Sequence, residues 1–120
     1  MVNLGTIYYH EHKYKEAEEY YRRAITVDPR YPLAHFNLGN LCDERGDVAG
    51  AREHYTTALR LSPNYADAHY NMALLCERTG DYFKATQHWN AYLKVDSSSS
   101  WASIARRQLE KLRKMTVVEN

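Results

Sequence analysis

Apolar positions recur along this chain with the period of an α-helix, and charged residues fill the intervals. Ala17, Tyr21 and Ala24 fall on one stripe, while Glu18 precedes Arg22 and Glu19 precedes Arg23 by four residues on the other side. One stripe faces a core and the other faces water, and each charge pair adds only a few tenths of a kcal/mol. The pattern predicts a helix over 14–27, closed by Asp28-Pro29, and further helices over 32–45, 48–61, 66–79 and 82–95. Leu38, Leu41, Tyr55, Leu59, Leu75 and Trp89 are the large core candidates. Gly39, Ala51, Ala58, Ala73 and Ala85 are small enough to let helices approach. Gly46 and Gly80 stand at helix ends, where a positive φ favours glycine; His12 holds the equivalent earlier place. The serines Ser97 to Ser100 interrupt the pattern and offer an N-cap. A last helix is expected over 101–115, with Trp101, Ile104, Ala105, Leu109 and Leu112 on its core face. Arg106, Arg107, Glu110, Lys111, Arg113 and Lys114 form its solvated face, the division a terminal cap requires.

The segments are near-copies of one another. Ala34-His35-Phe36-Asn37-Leu38-Gly39 returns as Ala68-His69-Tyr70-Asn71-Met72-Ala73, and Asn3-Leu4-Gly5 is its upstream echo. Asn3, Asn37 and Asn71 are thirty-four residues apart, as are Pro29 and Pro63. A fixed period of this length means stacked supersecondary units. In the middle unit His35, Leu38, Gly39, Cys42, Ala51, Tyr55 and Pro63 take the slots of the tetratricopeptide pattern. In the first unit they are Met1, Leu4, Gly5, Tyr8, Ala17, Tyr21 and Pro29. In the third they are His69, Met72, Ala73, Cys76, Ala85 and Trp89, with Ser97 departing from the expected proline. The chain therefore resembles the tetratricopeptide repeat family. That resemblance implies an all-α, right-handed α-solenoid of three helix pairs plus a C-terminal capping helix, and a binding module with no chemistry of its own. The expected organisation is repeat 1 over 1–31, truncated at its start because Met1 already occupies an internal slot. Repeat 2 follows over 32–65, repeat 3 over 66–97, the cap over 98–116 and a disordered tail over 117–120.

With 120 residues, 44% hydrophobic and 26% charged, the chain has the composition of one ordinary soluble domain. A net charge of +1 gives it no overall basic field to gather nucleic acid or an anionic membrane. No apolar run is long enough to span a bilayer, and no charged-then-apolar leader opens the chain, so a cytoplasmic location is expected. Cys42 and Cys76 share one slot in successive units. Helix contacts separate such slots by roughly 8–10 Å, beyond the Cα reach of a disulfide at about 7 Å, so two reduced core thiols are expected.

Candidate chemistry is sparse. The sequence has no glycine-rich phosphate loop, no Cys-x-x-Cys and no serine nucleophile elbow, so neither catalysis nor a cofactor is expected. Of six histidines, His10 and His12 are two apart and do not share a helix face. His35 with His69, and His54 with His88, are equivalents in adjacent units. They stand too far apart to meet on one ion at a Zn–N distance of about 2.0–2.1 Å, so no metal site is expected. His35 and His69 are read as packing residues, each with a hydrogen bond.

The resemblance also implies where a partner lies: on the first helix of each repeat, lining a concave groove. The residues there are Asn3, Asn37 and Asn71 for backbone capture, since a carboxamide offers both donor and acceptor. Phe36, Asn40 and Tyr70 are expected to form side-chain pockets, with Tyr9, Asp43 and Glu77 toward the helix ends. The asparagine row is similar to that of the repeat region of O-linked N-acetylglucosamine transferases, which grips extended polypeptide. The subclass that clamps a chaperone C-terminal carboxylate is excluded, because its cationic slots fall on Val2, Asp67 and Asn71. The carboxylates Asp43, Glu44, Asp67 and Glu77 point instead to a partner with some Lys or Arg. The function expected is a noncatalytic protein–protein scaffold holding a peptide segment. The alternative is a self-associating homo-oligomer, or a docking module of a larger bacterial regulatory protein. Either would use the open N-terminal end near Tyr8, Tyr9, Tyr14 and Tyr20.

Overall fold

A computed structural model describes residues 13–119, with side chains through Met115. The described residues form six helices and no strand: α1 (Tyr14–Val27), α2 (Pro32–Glu44), α3 (Val48–Leu61), α4 (Ala66–Arg78), α5 (Tyr82–Val95) and α6 (Ser100–Glu119). They fall into two compact units, Met1–Pro63 and Asn64–Asn120. The spans expected for α1, α3 and α5 agree residue for residue; α2 and α4 end one residue sooner, and α6 begins one sooner and runs past Met115.

In the first unit, α1 buries Ala17, Tyr21 and Ala24, the stripe read from the sequence. Pro32 opens α2 in its first turn, where a missing N–H costs nothing. Its Ala34, Leu38 and Leu41 close over the α1 stripe, with Tyr14, Ile25 and Leu33 packed alongside. The contact between α2 and α3 is close because Gly39 has no side chain. A Cβ there would stand 2.6 Å from two ring carbons of Tyr55. Tyr55, Ala51 and Ala58 are the buried stripe of α3. On the outer surface Glu18 gathers two guanidiniums: Arg22 at 3.0 Å, and Arg45 at 2.9 Å from the end of α2. The Arg45 hydrogen bond above all holds its carboxyl below the usual range. Arg23 and Glu19 form the second expected pair.

The second unit repeats the arrangement with larger side chains. Ala68, Met72, Ala73, Leu75 and Cys76 of α4 face the buried Ala85, Trp89 and Tyr92 of α5. The helix α6 then packs on α5 through Ala102, Ala105 and Leu112. Ala34, Ala68 and Ala102 stand at the thirty-four-residue spacing and all three are fully buried, so α6 keeps the register of a repeat's first helix. That register corrects one expectation. Trp101 takes the place of Leu33 and Asp67, not of the buried alanines, and is 57% exposed.

Both hairpins turn by the same device. Gly46 and Gly80 have φ of 78° and 82°, the left-handed region. The amide of Gly46 donates to the Asp43 carbonyl, and that of Asp47 donates to the Cys42 carbonyl at 2.8 Å; Gly80 and Asp81 do the same to Glu77 and Cys76. This pair of bonds satisfies the last carbonyls of the outgoing helix. The next residue then caps the incoming one: Asp47 accepts from the Gly50 amide at 2.9 Å, and Asp81 accepts from the Lys84 amide at 3.2 Å. The serine run supplies its cap through Ser99, whose hydroxyl accepts from the Ala102 amide. Asp96 orders that segment by accepting from Tyr92, from Ser99 and from the Ser98 amide. These bonds, led by the one from the Ser99 side chain, lower its carboxyl to about 2.

Candidate functional site

Asn3 and Tyr9, along with His10 and His12, lie outside the described residues. In the first unit Phe36, Asn37, Asn40 and Asp43 lie along α2, all half-buried. Phe36 packs 5.9 Å from the Tyr55 ring centroid. Asn40 accepts a 2.6 Å hydrogen bond from the Tyr55 hydroxyl, so its carboxamide helps hold the hairpin. Asn37 differs: its Nδ2 is buried and has no hydrogen-bond partner. An unmade bond of that kind costs about 1–3 kcal/mol.

In the second unit Tyr70, Asn71 and Glu77 lie along α4, again half-buried. Tyr70 is the hub of an aromatic cluster. Its centroid lies 4.9 Å from Trp89, 5.3 Å from Tyr92 and 5.4 Å from Trp101, with interplanar angles of 88°, 69° and 88°. Such edge-to-face contacts are favourable beyond the area they bury, and burial pushes the Tyr70 hydroxyl pKa up. Glu77 accepts from the Trp89 indole at 2.7 Å and from the Gln108 amide at 3.0 and 3.1 Å. One carboxylate thus joins α4, α5 and α6.

Sequence spacing did not reveal the histidine arrangement. The Nδ1 atoms of His69 and His88, nineteen residues apart on α4 and α5, approach to 3.0 Å with centroids 5.3 Å apart. One ring donates and the other accepts. Burial first, then His69, pulls His88 down to about 4. His35 and His54 repeat the pairing at 6.2 Å between centroids. His35 instead donates from Nε2 to the Pro29 carbonyl at 3.0 Å, leaving its Nδ1 buried and unpartnered. The signal available was the repeated nineteen-residue interval inside each unit, not the thirty-four-residue interval between units. Among the described residues no group of three or more His, Cys, Asp or Glu side chains could hold a metal ion. Cys76 is buried and Cys42 half-buried, and neither is in a disulfide; burial raises the Cys42 pKa. None of the described helices is long and apolar enough to cross a membrane.

Paired antiparallel helices with a thirty-four-residue register and glycine–aspartate turns define a helical-repeat protein. Tetratricopeptide repeat profiles match residues 2–66 and 54–87. The chain belongs to the tetratricopeptide repeat family, an all-α helical-repeat solenoid whose members serve as protein-interaction modules. No curated protein sequence matches it. Solved structures do. The tetratricopeptide domain of P58(IPK) superposes with a TM-score of 0.91 at 20% identity, covering 98% of this chain and 33% of that one. The first tetratricopeptide domain of Spaghetti (RPAP3), bound to the HSP90 peptide SRMEEVD, gives 0.85 at 19% identity, over 97% of this chain and 90% of that one. The Yersinia enterocolitica type III secretion chaperone SycD, in complex with a peptide of the translocator YopD, gives 0.87 at 13% identity. That match covers 96% of this chain and 91% of the other. At these identities the likeness is one of fold.

Proposed function

We propose that this protein is a noncatalytic scaffold that holds an extended segment of a partner protein against the exposed sides of its first helices. The observation that carries the reading is the Asn37 side chain. It recurs in register as Asn71, remains half-buried where neighbouring alanines are fully buried, and keeps an Nδ2 donor with no partner. A turn of the carboxamide toward the surface lets a passing backbone carbonyl satisfy this donor, whatever side chains the partner carries. Phe36 and Tyr70 stand one residue before these asparagines and supply apolar area. Two of the neighbours have bound peptides, which is a property of those proteins and lends the mode plausibility here. The lack of any motif for phosphate, thiol or serine chemistry in the sequence supports a role without catalysis.

Asn40 and Glu77 are already engaged by Tyr55, Trp89 and Gln108, so in this reading they shape the face and do not grip the partner. The test is an array of unstructured twelve-residue peptides probed with the wild-type protein and with Asn37→Ala and Asn71→Ala, singly and together. The expected result is a subset of peptides bound by the wild type, weakened tenfold or more by the double substitution. Binding that is indifferent to both asparagines, or no binding to any peptide, overturns the proposal.

A further inference from the structure

Trp101 is one of several large apolar side chains that the fold leaves exposed, Phe83 and Val27 among them, and it differs from those two in being part of an aromatic cluster. It is 57% exposed at the start of α6, yet its ring is not loose, because Tyr70 meets it edge-to-face at 5.4 Å. Tyr70 is itself fixed between Trp89 and Tyr92. The indole is therefore held in one orientation with most of its surface in water. Burying that surface is favourable in proportion to its area, and the folded chain forgoes it.

Two carboxylates flank the aromatic cluster that holds the indole. Asp67 precedes Tyr70 by one turn of α4, which puts the two on one face of that helix. Asp67 is exposed, and among the described residues it makes no hydrogen bond or ion pair. It lies near enough to add to the upward shift of the Tyr92 hydroxyl, behind burial and the Asp96 hydrogen bond. Asp96 is close by through that same hydroxyl, at 2.6 Å, but its oxygens are occupied by Tyr92, Ser98 and Ser99. The site thus combines a fixed aromatic surface, one unpaired carboxylate and a second carboxylate that contributes charge alone. Arg106, a cation of the same segment, is turned to the Ser97 carbonyl.

We propose that Trp101, Tyr70 and Asp67 form a subsite for a Lys or Arg side chain of the bound segment, its cation over the indole and paired with Asp67. The chemistry is that of cation–π attraction reinforced by a carboxylate. Arg suits it best, since a planar guanidinium stacks on an aromatic ring and donates to a carboxylate at once. This subsite rests on the groove reading above and adds what that reading lacks, a side-chain preference. Backbone capture by asparagine accepts any sequence; this position does not.

The test uses a peptide that the array selects, titrated by fluorescence anisotropy, with each Arg replaced in turn by neutral, isosteric citrulline and each Lys by norleucine. One such replacement is expected to weaken binding to the wild type about fivefold to tenfold, and to have little effect on binding to Asp67→Asn or Trp101→Ala. Trp101→Phe, which keeps a smaller ring, recovers part of the loss and guards against misfolding of the alanine variant. Equal losses in wild type and variants, or selected peptides that carry no basic residue, overturn the subsite while the groove reading stands. If no peptide in the array binds, the groove reading fails and this proposal falls with it.

Discussion

Glu77 is where a surface-like carboxylate has become an internal tie, and truncating it is the sharpest test of the fold's energetics. In Glu77→Ala the Trp89 indole loses its acceptor while remaining fully buried, and Gln108 loses its link from α6. A buried donor left unsatisfied costs about 1–3 kcal/mol, and the charge-assisted bonds from Gln108 bring the total to about 2–4 kcal/mol. With a urea dependence of about 1–3 kcal/mol per molar for a domain of this size, the unfolding midpoint falls by about 1–2 M. Far-ultraviolet circular dichroism in a urea series measures it. The control is Trp89→Phe, which removes the donor and keeps most of the ring. If the tie is real, the double variant is less destabilised than the sum of the singles, with a coupling of about 1–2 kcal/mol. A Glu77→Ala midpoint equal to that of the wild type, or strict additivity, refutes the reasoning.

Three further outcomes follow from the same geometry. Gly39→Ala drives a methyl into the Tyr55 ring, 2.6 Å from two of its carbons, and is expected to cost about 1–3 kcal/mol in thermal unfolding. Gly46→Ala meets nothing within 4 Å but must adopt a φ of 78°, so it loses about 1–2 kcal/mol from backbone strain alone. Burial and the facing His69 pull His88 down to about 4 in the folded chain from its ordinary 6.5, so the unfolded state takes up its proton first as pH falls. Its contribution is fully present above about pH 6.5, is lost between about 6.5 and 4, and changes no further below that. Because the ring is half exposed, solvent screening reduces the loss to about 1–2 kcal/mol. His88→Gln flattens that window in a pH series of urea midpoints, and an unchanged slope counts against the assignment.

The elements were legible in the sequence because local rules set them. Gly46 and Gly80 end helices by tolerating a positive φ, Asp47 and Asp81 begin them by capping, and the buried stripes follow from spacing alone. What was hidden depends on how two antiparallel helices slide past each other, which no single-helix period contains. His69 finds His88 and not His35; Trp89 reaches Glu77; Asn40, read as a pocket residue, is held by Tyr55. Trp101 was misread for a related reason. Helical spacing placed it with Ile104 and Ala105, whereas the thirty-four-residue register places it with Leu33 and Asp67, on a side that the neighbouring helix does not cover.

The shared turn carries a wider implication. When one glycine closes a helix and the following aspartate opens the next, the direction of each hairpin is settled by two letters and by backbone amides common to every residue. Most of the remaining alphabet is then free to drift without bending the array. The close superposition on chains of only 13–20% identity is what such latitude produces, and it leaves each lineage free to choose its own quarry.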